Sequence, residues 1–189
     1  MNKKRPVLVD LDEVLYPFVH TWDQWLKETK KASVDWEALA WHYDLDLYLA
    51  KHVDLQPDFV EAHKILLLDP KPIPGSIEAL SLIAQKHPVI ACTARNAEDW
   101  RGETETWLSK HAPYISDVIH IREGRGDKPI PKSDIAKKLN AYAHIDDTKH
   151  WIDTMPKSVK GYVVKRPIPL ASDEGAITWD AILLDIFKR

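Results

Sequence analysis

Short apolar runs that end in polar or acidic residues recur along the chain. Residues 6–10, Pro-Val-Leu-Val-Asp, form the first. Similar runs at 88–93, 118–121, 143–146 and 161–164 predict further buried strands, each delivering its last side chains to one end of a sheet. Between them apolar residues recur with helical spacing over 76–87, 97–111, 133–142 and 148–155, and a last amphipathic helix is predicted over 178–187. Strands that alternate with helices build right-handed βαβ units. The expected fold is therefore α/β, with a Rossmann-like parallel sheet covered on both faces. In such a sheet a ligand belongs at the carboxyl ends of the strands.

Residues 15–74 break the alternation, because their pattern is helical with no strand. One helix is expected to contain Phe18, Trp22, Trp25 and Leu26, another Trp36, Leu39, Ala40 and Tyr43, and a third to run over 57–68. Pro70, Pro72, Pro74 and Gly75 then make a stiff return. The chain divides on this reading into a core of residues 1–14 and 75–189 and a small helical lobe, 15–74, inserted after the first strand.

Composition removes several classes of function. A single cysteine, Cys92, excludes a disulfide scaffold. With 44% hydrophobic residues and a net charge of -3, the chain is expected to fold, and it has no global attraction for long nucleic acid. No apolar run reaches the ~18 residues of a bilayer span, and the basic start lacks a signal-peptide core, so a cytoplasmic protein without membrane contact is expected.

The chemistry gathers at predicted strand ends. Asp10 and Asp12 lie two apart, so in extended backbone their side chains point the same way. Adjacent carboxylates repel unless a cation or a shared proton compensates them, which points to a divalent metal. Asp146 and Asp147 end a later run and reach the same edge if that strand neighbours the first; four acids at one rim suit Mg2+. A second Asp-x-Asp, Asp44 and Asp46, has no strand before it and reads as solvated surface or a helix start. Thr93, followed by Ala94 and Arg95, reads as a hydroxyl before a helix whose free N–H groups form a phosphate cradle. The alternatives are a helix N-cap for Thr93 and a surface ion pair for Arg95. Lys132, Lys137 and Lys138 precede the 143–146 strand. Lys132, at the entry to its helix, is best placed to reach over the strand ends.

The order of acid pair, hydroxyl, lysine and acid pair resembles the haloacid dehalogenase superfamily of phosphohydrolases. Val7 to Val14 looks like its first motif, Thr93 its second, Lys132 its third, and Ile145-Asp146-Asp147 its fourth. The resemblance implies that Asp10 attacks phosphorus and that Asp12 acts as general acid and base. It also implies that Asp10, the Asp12 main-chain carbonyl and Asp146 hold Mg2+ with Asp147 in support, and that Thr93 and Lys132 bind phosphate oxygens. Glu13 departs from the common Gly at its position.

Asp10 to Phe18 looks like the start of the 5'(3')-deoxyribonucleotidases. That resemblance implies a cap in the place of residues 15–74 and a nucleoside monophosphate substrate, with Phe18, Trp36, Trp41 and Tyr43 as candidates for stacking on a base. Packing within the lobe is the alternative for each ring. Thr93-Ala94-Arg95, Asp99-Trp100 and the tract 126–137 are also similar to the phosphatase domain of polynucleotide kinase, an alignment in which Lys137 takes the place of Lys132 and the substrate is a polynucleotide end. A non-catalytic phosphate or nucleotide binder is the third possibility. Cysteine-phosphatase chemistry is excluded, since the sixth residue after Cys92 is Glu98 and not Arg. The P-loop and Gly-x-Gly-x-x-Gly motifs are absent, and so is His-Glu-x-x-His.

Overall fold

A computed structural model of the protein describes residues 4–40, 69–124, 126–166 and 175–188. Its centre is a five-stranded parallel sheet of β1 (Val7–Val9), β2 (Val89–Asn96), β3 (Ile115–Arg122), β4 (Ala143–Asp146) and β5 (Lys160–Val163), in the order β3-β2-β1-β4-β5. The helices are α1 (Phe18–Thr29), α2 (Trp36–Ala40), α3 (Ser76–Ala84), α4 (Ala97–His111), α5 (Lys132–Lys138), α6 (Lys149–Asp153) and α7 (Trp179–Phe187). This is the expected Rossmann-like α/β architecture.

β1 is central because it is apolar on both faces. Val7 and Val9 enter a core with Leu80, Ile83 and Ile182, whereas Leu8 faces the opposite way toward Cys92, Ile135 and Ala136. Parallel register places Val9 opposite both Ala91 and Ile145, so the chain direction alone brings Asp10 and Asp146 to one edge side by side. The Asp10 N–H continues the ladder by donating to the Ile145 carbonyl at 2.9 Å.

Among the boundaries that differ from the sequence pattern, the ends of β2 and α5 do so for identifiable reasons. The second strand runs past Thr93 to Asn96, because β3 continues beside it and pairs Asn96 with Arg122. α4 starts at Ala97, as the sequence pattern predicts, four residues after Thr93, and its cap is Asn96, whose side chain accepts from the Asp99 N–H at 2.9 Å, so Thr93 is not the N-cap. α5 stops at Lys138 instead of 142, since Asn140 takes a left-handed φ of 49° and Ala141 N–H closes back on the Ala136 carbonyl.

Within residues 15–74, Leu15 and Tyr16 still belong to the main core, and Ile73 N–H returns to the Leu15 carbonyl. Beyond them, Val19, Trp22, Trp25 and Leu26 of α1 join Val34 and Leu39 in a separate apolar cluster, with Phe18 packed against both. Further on, Asp69 pairs with Lys110 and His111, and Trp107 donates to the Pro70 carbonyl, tying residues 69–70 to α4. The helix expected over 57–68, together with Trp41, Tyr43, Asp44 and Asp46, lies outside the described residues.

Candidate active site

Alternation along the strands decides which groups meet. Leu8 and Asp10 share one face of β1, as do His144 and Asp146 on β4, and this is the face that α5 covers. Lys132, the first residue of α5, is 1% exposed and extends its ammonium between the two acids, 2.8 Å from Asp10 Oδ1 and 2.7 Å from Asp146 Oδ2. Trp151 lies beneath it, with the ring centroid 5.4 Å from Nζ. Lys137 is exposed and, among the described residues, meets Asp134.

Asp146 is held from three directions. Besides Lys132 it accepts from Thr148 N–H at 2.9 Å and contacts His144 Nε2 at 3.0 Å. Burial alone would raise its carboxyl, but Lys132 and His144 keep it well below the usual carboxylate range. Asp10 has fewer partners, and burial pushes it up to about 7 against the pull of Lys132. Burial, with Asp146 close by, also lifts Asp147, although Arg166 stands 3.4 Å from its carboxylate and donates to its carbonyl at 2.9 Å. Burial would lower Lys132, yet Asp10 and Asp146 hold it above its ordinary value, so it stays charged.

Oxygens of Asp10, Asp146 and Asp147 lie within 4.8 Å of one another, all three residues buried. Two of these acids share one ammonium, and all the donors are hard oxygens. The cluster therefore fits a hard divalent cation. The Asp12 carboxylate is not part of it, because it turns to Arg95, which grips it through Nη2 at 2.6 Å and Nε at 3.0 Å. Arg95 is itself fixed by Thr104 at 3.2 Å and by the Tyr16 ring at 4.6 Å. Its guanidinium meets Asp12, whereas the sequence placed it at the phosphate cradle. The pairing spans 83 positions and depends on the extension of β2. Thr93 is buried, and its hydroxyl accepts from the Arg95 N–H at 3.2 Å. Ala94 beside it is exposed. Cys92 faces the α5 side, opposite Thr93, and burial raises its thiol to about 12.

Three further residues belong to the surroundings of this cluster. His144 was legible by alternation from Asp146, and Arg166 by its place after β5. Glu13 carried only the signal of a missing glycine. It is buried, burial lifts its carboxyl to about 7, and it accepts from the Val19 N–H. Of the candidate stacking rings, Phe18 is half-buried and Trp36 lies against His20 with ring centroids 5.1 Å apart.

The family model described as 5' nucleotidase, deoxy (pyrimidine), cytosolic type C protein matches residues 4–136. The chain belongs to this family. As a member of this nucleotidase family it is a phosphomonoester hydrolase of the haloacid dehalogenase-like superfamily. Solved structures agree on the fold. An L-2-haloacid dehalogenase is 14% identical with a TM-score of 0.62, covering 97% of each chain. A haloacid dehalogenase-like hydrolase from Streptococcus pneumoniae is 12% identical with a TM-score of 0.62, over 98% of this chain and 100% of its own. YfnB from Bacillus subtilis, assigned as a HAD-hydrolase and solved bound to magnesium, is 13% identical with a TM-score of 0.61 over 100% of both. No curated protein matches the chain. Among the described residues no helix is long and apolar enough to cross a membrane.

Proposed function

We propose that this nucleotidase-family enzyme hydrolyses a (deoxy)nucleoside monophosphate through a phosphoryl group carried on Asp10. The observation that carries the reading is the convergence of Asp10 and Asp146 on Lys132, with the Asp12 carboxylate fixed beside them by Arg95. An Asp10 oxygen attacks phosphorus while the bond to the sugar oxygen breaks, and Asp12 gives that oxygen a proton. Water then attacks the phosphoryl group, passes its proton to Asp12, and releases inorganic phosphate and free Asp10. Lys132 and the Thr93 hydroxyl serve the phosphoryl oxygens on which charge gathers in both steps. Asp10, the Asp12 main-chain carbonyl and Asp146, supported by Asp147, would hold Mg2+, which would supply positive charge against the nucleophile and phosphate; the magnesium in the Bacillus subtilis relative supports that choice of ion.

The phosphate site is common to many substrates, so selection falls to the insert. Residues 15–74 form a cap in this reading. Phe18 and Trp36, with Trp41 and Tyr43, are its rings for stacking on a base. We place the enzyme in the cytoplasm, in keeping with the cytosolic type that names its family.

A phosphate-release screen tests the proposal across nucleoside monophosphates, sugar phosphates and oligonucleotides phosphorylated at either end. Mononucleotides are expected to be preferred, with activity falling at least about a hundredfold in chelator. Preference for oligonucleotide ends would favour a polynucleotide phosphatase, and binding without turnover would leave only a nucleotide-binding protein.

Metal binding carries a pH signature. Asp10 rises from 3.8 to about 7 through burial, so without metal it keeps its proton at mildly acidic pH and must lose it to hold a cation. A carboxyl raised in the folded state contributes stability that is complete below its unfolded value and is lost as pH climbs through the folded one. Asp10 and Glu13 together should therefore make the metal-free protein less stable between about pH 4 and about pH 7. The Mg2+-induced rise in melting temperature should grow over the same interval. Thermal unfolding with chelator or Mg2+ measures both, and a Mg2+ effect that is flat from about pH 5 to about pH 8 would contradict the assignment of Asp10 as a ligand.

A further inference from the structure

Glu13 occupies a backbone conformation suited to glycine. Its φ of 59° is left-handed, a region that disfavours a residue with a Cβ. Its carboxylate is also buried, at 6% exposure. A sequence that places a long acid there, against both penalties, has a use for the acid.

The contacts identify that use. Glu13 Oε1 accepts from the Val19 N–H at 2.8 Å, in the first turn of α1. The residue before that helix, Pro17, supplies no side-chain cap, so Glu13 satisfies a donor that the local sequence leaves open. The same residue is part of the turn that carries Asp12. Its N–H donates to the Tyr16 carbonyl at 2.8 Å, Leu15 and Tyr16 both donate to the Leu11 carbonyl, and Asp12 and Tyr16 pair as an isolated bridge. One side chain thus joins the turn behind Asp10 to the first helix of the insert. α1 shares its apolar cluster with Val34 and Leu39, and Trp36 packs there too, so a change in the angle of α1 carries these residues with it.

We infer that Glu13 is a positioning residue for substrate selection: it sets the entry angle of α1 relative to Asp10 and Asp12, and so the place of Phe18 and Trp36, rings proposed to receive the nucleoside. This rests on the nucleotidase reading above, with residues 15–74 as the cap.

Two substrates run in parallel test it: a nucleoside monophosphate, which needs the cap, and p-nitrophenyl phosphate, a small ester that makes few demands on it. Glu13→Gly suits the backbone and removes the acceptor. It is expected to raise the nucleotide KM about tenfold with little change in kcat, and to lower kcat/KM on the aryl ester far less. Glu13→Gln, whose amide oxygen still accepts from Val19, is expected to restore the nucleotide KM. Hydrogen exchange at the Val19 amide should quicken in Glu13→Gly and not in Glu13→Gln. An unchanged nucleotide KM in folded Glu13→Gly, or equal losses on both substrates, would overturn the inference. If Glu13→Gly does not fold, Glu13→Asn, tolerant of the same backbone and one methylene shorter, is judged by the same criteria. A parent enzyme that hydrolyses neither ester would remove the nucleotidase reading and this inference with it. An active parent whose substrate ratio no variant moves removes this inference alone.

Discussion

Asp10→Asn is expected to reduce hydrolysis of both a nucleotide and an aryl phosphate by about ten-thousandfold or more, which corresponds to roughly 5.5 kcal/mol of barrier. The amide keeps the shape of the side chain but cannot serve as the attacking oxygen. The fold should survive, because Asp10 occupies its place at a cost: burial lifts its carboxyl to about 7, and a neutral group avoids that penalty. Melting in chelator at about pH 8 should therefore occur at or above the parent temperature, while the Mg2+-induced rise shrinks. Steady-state kinetics and thermal unfolding of the same preparation separate the two effects. Turnover within tenfold of the parent would show that phosphorus is attacked by another group.

Lys132→Met should strongly destabilise the metal-free fold. The methionine fills the space of the lysine stem, so what is lost is the charge that Asp10 and Asp146 share. Removing one partner from a buried ion pair costs about 3–5 kcal/mol, a large part of a domain's ~5–15 kcal/mol. Mg2+ should recover some of the loss, since a dication among Asp10, Asp146 and Asp147 replaces the missing positive charge. Activity should remain at least about a thousandfold down even in Mg2+, for want of the ammonium on the phosphoryl oxygens. Lys137→Met is the control: its ammonium is exposed and, among the described residues, meets the exposed Asp134, so a change within about 0.5 kcal/mol is expected. Urea unfolding with and without Mg2+ measures all of this. Similar losses at Lys132 and Lys137 would remove the special place given to Lys132.

The site was legible in the sequence as far as local pattern reaches. Asp10, Thr93 and Asp146 stand at or beside the ends of apolar runs, and a parallel sheet brings the ends of such runs together. Lys132 and Lys137 were distinguishable in the sequence only by distance from the helix start, a weak signal; in the structure Lys132 is buried between Asp10 and Asp146 and Lys137 is exposed. Arg95 was noticed, but its partner was not, because nothing near Arg95 in the chain points to Asp12. Glu13 is the reverse case. Its departure from glycine was visible, yet its bond to Val19 depends on the direction in which α1 leaves the core.

By itself the sequence determined the alternation of strands and helices, the burial of β1 on both faces, and the side chains delivered to the strand ends. These follow from apolar periodicity and chain direction, which are properties of neighbouring residues. The tertiary structure alone decided the sheet order that sets Asp146 beside Asp10, the extension of β2 that carries Arg95 to Asp12, and the single ammonium shared by two buried acids. Those outcomes depend on which distant segments exclude water from one another, and burial is what turns a pair of charges from a surface contact into a determinant of protonation, stability and chemistry.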